Sequence, residues 1–369
     1  KSSKEQIINQ AFKFHSQGNI PEAAQLYQYF INQGFNDHRV FSNYGIILKD
    51  LGKLQEAEIS TRKAIALKPN YATGHLNLGI ILSDLGKLQE AELSMLEAIK
   101  IEQYSDEYSF YYFLGKLYRY RGKLDKSIKC FEEIPDSISK IRLSKLIGLS
   151  INYVIQGYLN KALINIKEAN KLINSQILSS YKNDEEFSTN YTWYIYLSNL
   201  INKLKKNNYK DSDFKTLHIG DSHSISFAHQ NINLLSKPTY IQPVLIFGGK
   251  AWHFANKKNN RFKSSLKEQV KNHIESDQIF ISFGDIDCRE NEGILYYAIK
   301  YKEDMLEVAK KTVNQYVNYM ELNLSSLFLK RFYFGFPAPL EEKESLSRLM
   351  NKRNKLVSSF NLFLKKAVL

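Results

Sequence analysis

Cysteine is nearly absent: the chain has two, Cys130 and Cys288, in opposite halves. That excludes a disulfide framework and a four-cysteine metal site, and it fits a reducing compartment, so a cytoplasmic protein is expected. No apolar run approaches the roughly 20 residues that span a bilayer. The opening KSSKEQIINQ lacks the hydrophobic core of a signal peptide. It also lacks an initiator Met, so the native start is expected upstream. A concentrated basic face is missing too. The formal charge is +13, but the lysines are scattered along both halves, which reads as solvated surface, with no specific nucleic acid expected as partner. No histidine follows His273, a gap that bears on catalysis below.

What is present is length, periodicity and one unusual turn. With 369 residues, 43% of them hydrophobic, the chain can bury two separate cores. Residues 45–68 read GIILKDLGKLQEAEISTRKAIALK and residues 79–102 read GIILSDLGKLQEAELSMLEAIKIE, identical at 16 of 24 positions at a shift of 34. Gly45, Ala57 and Ala64 provide small side chains where two helices cross closely, and Pro69 stops the second helix. This pattern resembles the tetratricopeptide repeat (TPR) family. It extends upstream through Gly18 and Ala23. Downstream it runs through Gly115 and Gly122, after a two-residue insertion near Tyr104 to Tyr108, to a weaker fifth unit at Gly157 and Ala162. Such repeats imply a right-handed superhelix whose groove receives a protein, a peptide or a glycan carrier. The aromatic run YSFYYFLGKLYRYRG either lines that groove or packs between repeats. NSQILSSYKNDEEFSTN reads as a loop, Tyr191 to Lys206 as a capping helix, and 207–213 as the boundary. The expected organisation is therefore residues 1–178 as about five repeats, 179–209 as cap and linker, and 210–369 as a second domain.

From Lys215 buried strands alternate with helices, the mark of an α/β domain with a mostly parallel sheet. The strand candidates are TLHIG, PVLIFGG, QIFISFGD and RFYFGFPAP. Ligands gather at the carboxyl ends of such strands. There the chain places Asp221, Ser222 and His223, then Gly248 and Gly249 with His253 nearby, then Gly284, Asp285, Asp287 and Arg289. Helix-compatible spacing resumes at Ile225, Phe227 and Ala228.

Gly220-Asp221-Ser222, a Gly-Gly turn and Gly284-Asp285-Ile286-Asp287, in that order, resemble the SGNH (GDS-type) hydrolase superfamily, which includes carbohydrate O-acyltransferase-like domains. The resemblance implies a three-layer α/β fold, no cofactor, and an acylated small molecule or carbohydrate as substrate. Ser222 is then the nucleophile. Gly248 or Gly249 joins the Ser222 N–H in holding the oxyanion, with Gly284 and Asp285 in the third block. Two departures stand out. Ile286 occupies the family's oxyanion Asn position, and loss of such a donor costs on the order of a hundredfold or more in rate. The late Asp-x-x-His that carries the general base is missing, so the resemblance places it beyond Leu369. His223, His229 and His253 are the substitutes on hand. Arg289 is a candidate clamp for a carboxylate or a phosphate.

Two other readings of these residues are open. Asp221-Ser222-His223 with Asp285 and Asp287 also resembles the opening motifs of metal-dependent phosphoesterases, in which carboxylates and imidazoles hold two divalent ions. A degenerate domain without its oxyanion Asn is instead a non-catalytic scaffold alongside the repeats. The oligomeric state is not legible.

Overall fold

The computed structural model describes residues 3–102, 109–137, 139–175, 184–204, 214–234, 236–271, 278–284, 286–289, 293–335 and 348–369. By internal packing the chain divides into two compact units. One is Lys1–Arg119 with Asp125–Asp136, the other Tyr120–Leu124 with Ser137–Leu369.

The first unit is built from α1 (Lys4–Ser16), α2 (Ile20–Asn32), α3 (His38–Asp50), α4 (Leu54–Leu67), α5 (Ala72–Asp84), α6 (Leu88–Ile101), α7 (Ser109–Tyr120) and α8 (Leu124–Glu132). Successive helices pair as antiparallel hairpins, stacked as a TPR-like superhelix. Small residues allow the close crossings. A Cβ on Gly45 would lie 2.2 Å from Thr61 Oγ1, and one on Gly79 would lie 2.6 Å from Met95 Cγ and 3.2 Å from the Ala91 carbonyl. Ala57, Ala64, Ala91 and Ala98 are fully buried in the same seams. The turns within the hairpins use Gly52 and Gly86 at φ +76° and +79°. That left-handed conformation lets Lys53 N–H reach back to the Leu48 carbonyl at 2.8 Å and close the helix end. The aromatic run contributes Phe110, Leu114, Leu117 and Tyr118 to a core shared with α5 and α6, so these side chains pack between hairpins. The insertion near Tyr104 to Tyr108 lies outside the described residues.

The second unit opens with another helical hairpin, α9 (Ser139–Ile155) and α10 (Leu159–Ile173), against which α11 (Glu185–Leu204) packs. α11 starts six residues ahead of Tyr191, inside the stretch read as loop, because the Asp184 carboxylate accepts the Phe187 N–H at 3.1 Å and caps it. Five strands follow: β1 (Phe214–Gly220), β2 (Asn231–Leu234), β3 (Lys237–Leu245), β4 (Gln278–Ser282) and β5 (Lys330–Tyr333). Their order is β2-β3-β1-β4-β5. All neighbours are parallel except β2, which folds back antiparallel on β3 with Asn231 opposite Tyr240. The sheet is therefore mixed. The helix expected after the Gly-Asp-Ser turn is only a 3-10 segment, Ser222–Phe227.

Alternation along the strands sends Leu217, Ile219, Val244, Ile279 and Ile281 into one core. That core also takes side chains from α12 (Ala251–Ala255), α13 (Arg261–Lys271), α14 (Gly293–Tyr301), α15 (Met305–Leu324) and α16 (Arg348–Val368). α9 packs against β3, and Trp193 of α11 stacks on Phe247 with centroids 5.0 Å apart. The helices that continue the repeat pattern therefore belong to the same compact unit as the sheet. The stretch 207–213 lies outside the described residues.

Candidate functional site

The turn after β1 is organised by Asp221. Its carboxylate, 2% exposed, accepts the His223 backbone N–H at 2.9 Å and meets His223 Nδ1 at 2.9 Å. Its carbonyl accepts the Ser224 hydroxyl at 2.8 Å. An aspartate here caps the short helix and fixes the neighbouring imidazole, the ordinary local chemistry of this side chain. Ser222 is half-buried. Its carbonyl accepts the Tyr196 hydroxyl at 2.9 Å, while its own hydroxyl makes no hydrogen bond among the described residues. Tyr196 also meets Ser226 Oγ at 2.9 Å. α11 thus supports the turn directly, a role that a lone Tyr in a helix does not announce in sequence.

After β3, Gly248 takes φ +71°, and the Gly249 N–H donates to the Ile246 carbonyl at 2.8 Å. Gly249 is therefore engaged in the turn and is not presented to an oxyanion. The Gly248 N–H makes no hydrogen bond among the described residues. A Cβ on Gly249 would come within 2.7 Å of the Phe283 ring, so the loop is held tight against β4.

After β4, Gly284 adopts φ +128°. Asp285 lies outside the described residues. Asp287 is fully buried, and its two oxygens accept the Ala251 and Trp252 N–H groups at 2.7 and 2.9 Å. It therefore caps α12 and ties the third strand's loop to the Gly-Gly turn, a positioning role. Burial drives its carboxyl up to about 7, and nearby Asp221 adds to the rise. The two amides and Lys250 pull the other way. Cys288 is buried beside it, and Arg289 is half-buried.

The histidines proposed as bases are placed differently from one another. His253 stacks on Phe262 at 3.7 Å between centroids, and burial, Lys250 and Arg261 lower its pKa to about 3. That makes it a feeble proton acceptor. His229 meets the Tyr240 hydroxyl through Nδ1 and the Val154 carbonyl through Nε2 at 2.7 Å, so both nitrogens are committed. His218, which sequence reasoning passed over, is buried on β1 with Nε2 at 2.8 Å from Ser282 Oγ. Among the described residues no three His, Cys, Asp or Glu side chains are grouped as metal ligands, and the two-metal arrangement gains no support from them.

Beside this site, at the start of α12 and of α15, lies an open groove of about 730 Å³. Trp252 and Tyr297 line it, with Lys257 and Lys311 against Glu303 and Glu307. The two rings touch at 4.8 Å between centroids, tilted 44°.

These features define a helical-repeat protein with a mixed α/β unit. Residues 38–71, 72–104 and 108–134 match the tetratricopeptide repeat family. This part of the chain is a TPR array, a protein-interaction module. No curated protein matches the chain. Among solved structures it is similar to MamA at 21% identity, over 44% of this chain and 93% of that one, with a TM-score of 0.38. It is also similar to a thermophilic TPR protein of Thermus thermophilus, at 16% identity over 54% and 100%, with a TM-score of 0.42. A third is a MamA fragment from Desulfovibrio magneticus, at 20% identity over 47% and 96%, with a TM-score of 0.41. No helix among the described residues is long and apolar enough to cross a membrane.

Proposed function

We propose that this chain is a recruitment protein: its TPR hairpins hold a polypeptide partner, and its α/β unit binds rather than transforms a ligand. The observation that carries this reading is the tandem TPR array. The Ser222 hydroxyl, which has no hydrogen bond among the described residues, with His229 committed elsewhere and His253 suppressed by burial, supports the non-catalytic half. Serine is a weak nucleophile without an adjacent base. Incubation with an aryl acetate is expected to give the same slow turnover for the wild type and for Ser222→Ala. A polypeptide captured by the intact chain is expected to stay bound in that variant. Turnover that disappears with Ser222→Ala would instead favour acyl-ester hydrolysis or transfer.

That second reading has one observation of its own. The Asp221–His223 contact orients an imidazole next to Ser222, at the carboxyl end of a central strand. In it, the Ser222 hydroxyl oxygen bonds to the acyl carbon as its proton passes to the His223 imidazole, and the Ser222 and Gly248 amides receive the developing oxyanion. The ester C–O bond then breaks with that proton given to the departing alcohol, leaving an acyl-serine for water or an acceptor hydroxyl to take.

In the binding reading the ligand of the α/β unit is a carbohydrate or an acylated small molecule seated in the Trp252–Tyr297 groove, which Ser222 does not line. Aromatic faces there offer apolar contact, and the balanced lysines and glutamates offer donors and acceptors. The chain has two tryptophans, Trp193 and Trp252. In a Trp193→Phe background, adding a chito-oligosaccharide is expected to quench the remaining indole, and Tyr297→Ala is expected to abolish the quench. An unchanged spectrum across a full titration removes the carbohydrate.

A further inference from the structure

The outer helices of the two best-matched repeats carry aliphatic side chains that a solitary soluble surface seldom groups together. Ile59 on α4 is 71% exposed, and Leu93, its counterpart one repeat later on α6, is 68% exposed. Leu96 and Leu67 on the same two helices are exposed as well. Between α4 and α6 runs a groove of about 500 Å³, floored by Leu78 and Leu82 of α5 and walled by Ile65 and Leu93. A groove lined by apolar side chains, with further exposed aliphatics on the same two helices, suits an interaction site.

The charges on its walls are opposite. Arg62 stands on the α4 side, and Glu90 and Glu97 stand on the α6 side. Within the chain Arg62 meets Glu58 at 2.9 Å and Glu90 at 3.1 Å, whereas Glu97, among the described residues, meets only its helix neighbour Lys100, at 3.5 Å and well exposed. Exposed pairs of that sort contribute little and exchange readily. One patch therefore holds an apolar knob, an apolar slot beside it, a cation on one wall and an acid on the other. A surface that presents both halves of a contact side by side is complementary to itself under a two-fold rotation, the isologous arrangement of a symmetric dimer.

We propose that two copies of this chain associate through this outer groove, α6 lying against its two-fold mate. Leu93 of each copy enters the slot floored by Leu78 and Leu82 in the other, and Glu97 of each faces Arg62 across the interface. The inner face of the repeats is left open for the polypeptide partner, so self-association and recruitment are separate properties.

Sedimentation velocity on the intact chain, over a dilution series in the micromolar range and at low and moderate salt, tests this. A reversible dimer is expected. Leu93→Glu is expected to weaken it by about tenfold or more, since a desolvated charge replaces the knob. Ile164→Glu, at an exposed apolar position of α10 outside the patch, is expected to leave the dimer unchanged. Glu97→Arg alone and Arg62→Glu alone each set like charges across the interface and are expected to lower association. Mixing those two variants restores opposite charges at both contacts and is expected to recover a heterodimer. Far-UV circular dichroism checks that each variant is folded. A chain that stays monomeric at every concentration overturns the proposal and leaves the patch to a different protein. So does a dimer indifferent to Leu93→Glu, or a mixture that associates no better than its components.

Discussion

Asp287→Ala is expected to destabilise the sheet-bearing unit more than any other single change at the candidate site. The carboxylate is fully buried and is the acceptor for the first two amides of α12. Truncation leaves both N–H groups without a partner in a dry interior, at on the order of 1–3 kcal/mol each. Ionisation gives the wild type a pH signature of definite sign. The folded-state value is raised from 3.8 to about 7, chiefly by burial. Between those values the folded chain holds a proton that the unfolded chain releases. The associated stability is fully present below the ordinary carboxylate value and is lost as pH rises through about 7, with a slope of at most about 1.4 kcal/mol per pH unit. Asp287→Asn keeps an acceptor for the α12 amides and cannot ionise, so its stability should be flatter across roughly pH 5 to 8. Urea unfolding of the wild type and both variants at several pH values measures this. Equal slopes for wild type and Asp287→Asn would assign the buried charge to another group.

The repeats were legible because their physics is local. A residue at a helix crossing must be small whatever surrounds it, so Gly45, Ala57 and Ala64 announce the hairpin, and the 34-residue shift announces its copies. β1, β3, β4 and β5 were legible for a similar reason, each being a short apolar run that ends in a turn. β2 was not. Its four residues, Asn-Ile-Asn-Leu, are too few and too polar to stand out, and only pairing with β3 makes them a strand. The short 3-10 segment after Asp221 eluded the helical spacing of Ile225, Phe227 and Ala228, because Asp221 and Tyr196 decide that turn from outside it.

The candidate site shows the same division. Asp221, Ser222 and Gly248 could be picked out by residue type and by position at strand ends. What each atom does could not, since it depends on neighbours far away in sequence. Gly249 spends its amide on Ile246, Asp287 spends its carboxylate on α12, and His229 is fixed by Val154 from the preceding helical hairpin. Tyr196, 26 residues before Ser222, carries no motif at all. Resemblance to a hydrolase motif thus picks out residue types at strand ends and is silent about whether a base reaches the serine.

Gly79→Val is the second large effect. Its Cβ would fall 2.6 Å from Met95 Cγ and 3.2 Å from the Ala91 carbonyl. The methionine is flexible and can swing aside, but the carbonyl belongs to the backbone of α6, so the two helices must part. Overpacking of this kind costs about 1–3 kcal/mol and occasionally more. The damage should spread, because each hairpin buries its apolar face only against its neighbours. Gly52→Ala makes the useful contrast. A Cβ there meets nothing within 4 Å, but φ is +76°, so the penalty is the left-handed strain of a single residue, about 1–2 kcal/mol. Thermal unfolding followed by circular dichroism should therefore rank Gly79→Val below Gly52→Ala in stability. Shortening the methionine in the double variant Gly79→Val with Met95→Ala should recover part of the loss, a coupling that only touching residues show. If the two changes instead add independently, the valine is accommodated away from Met95, and the close crossing of α5 and α6 is not what holds this repeat together.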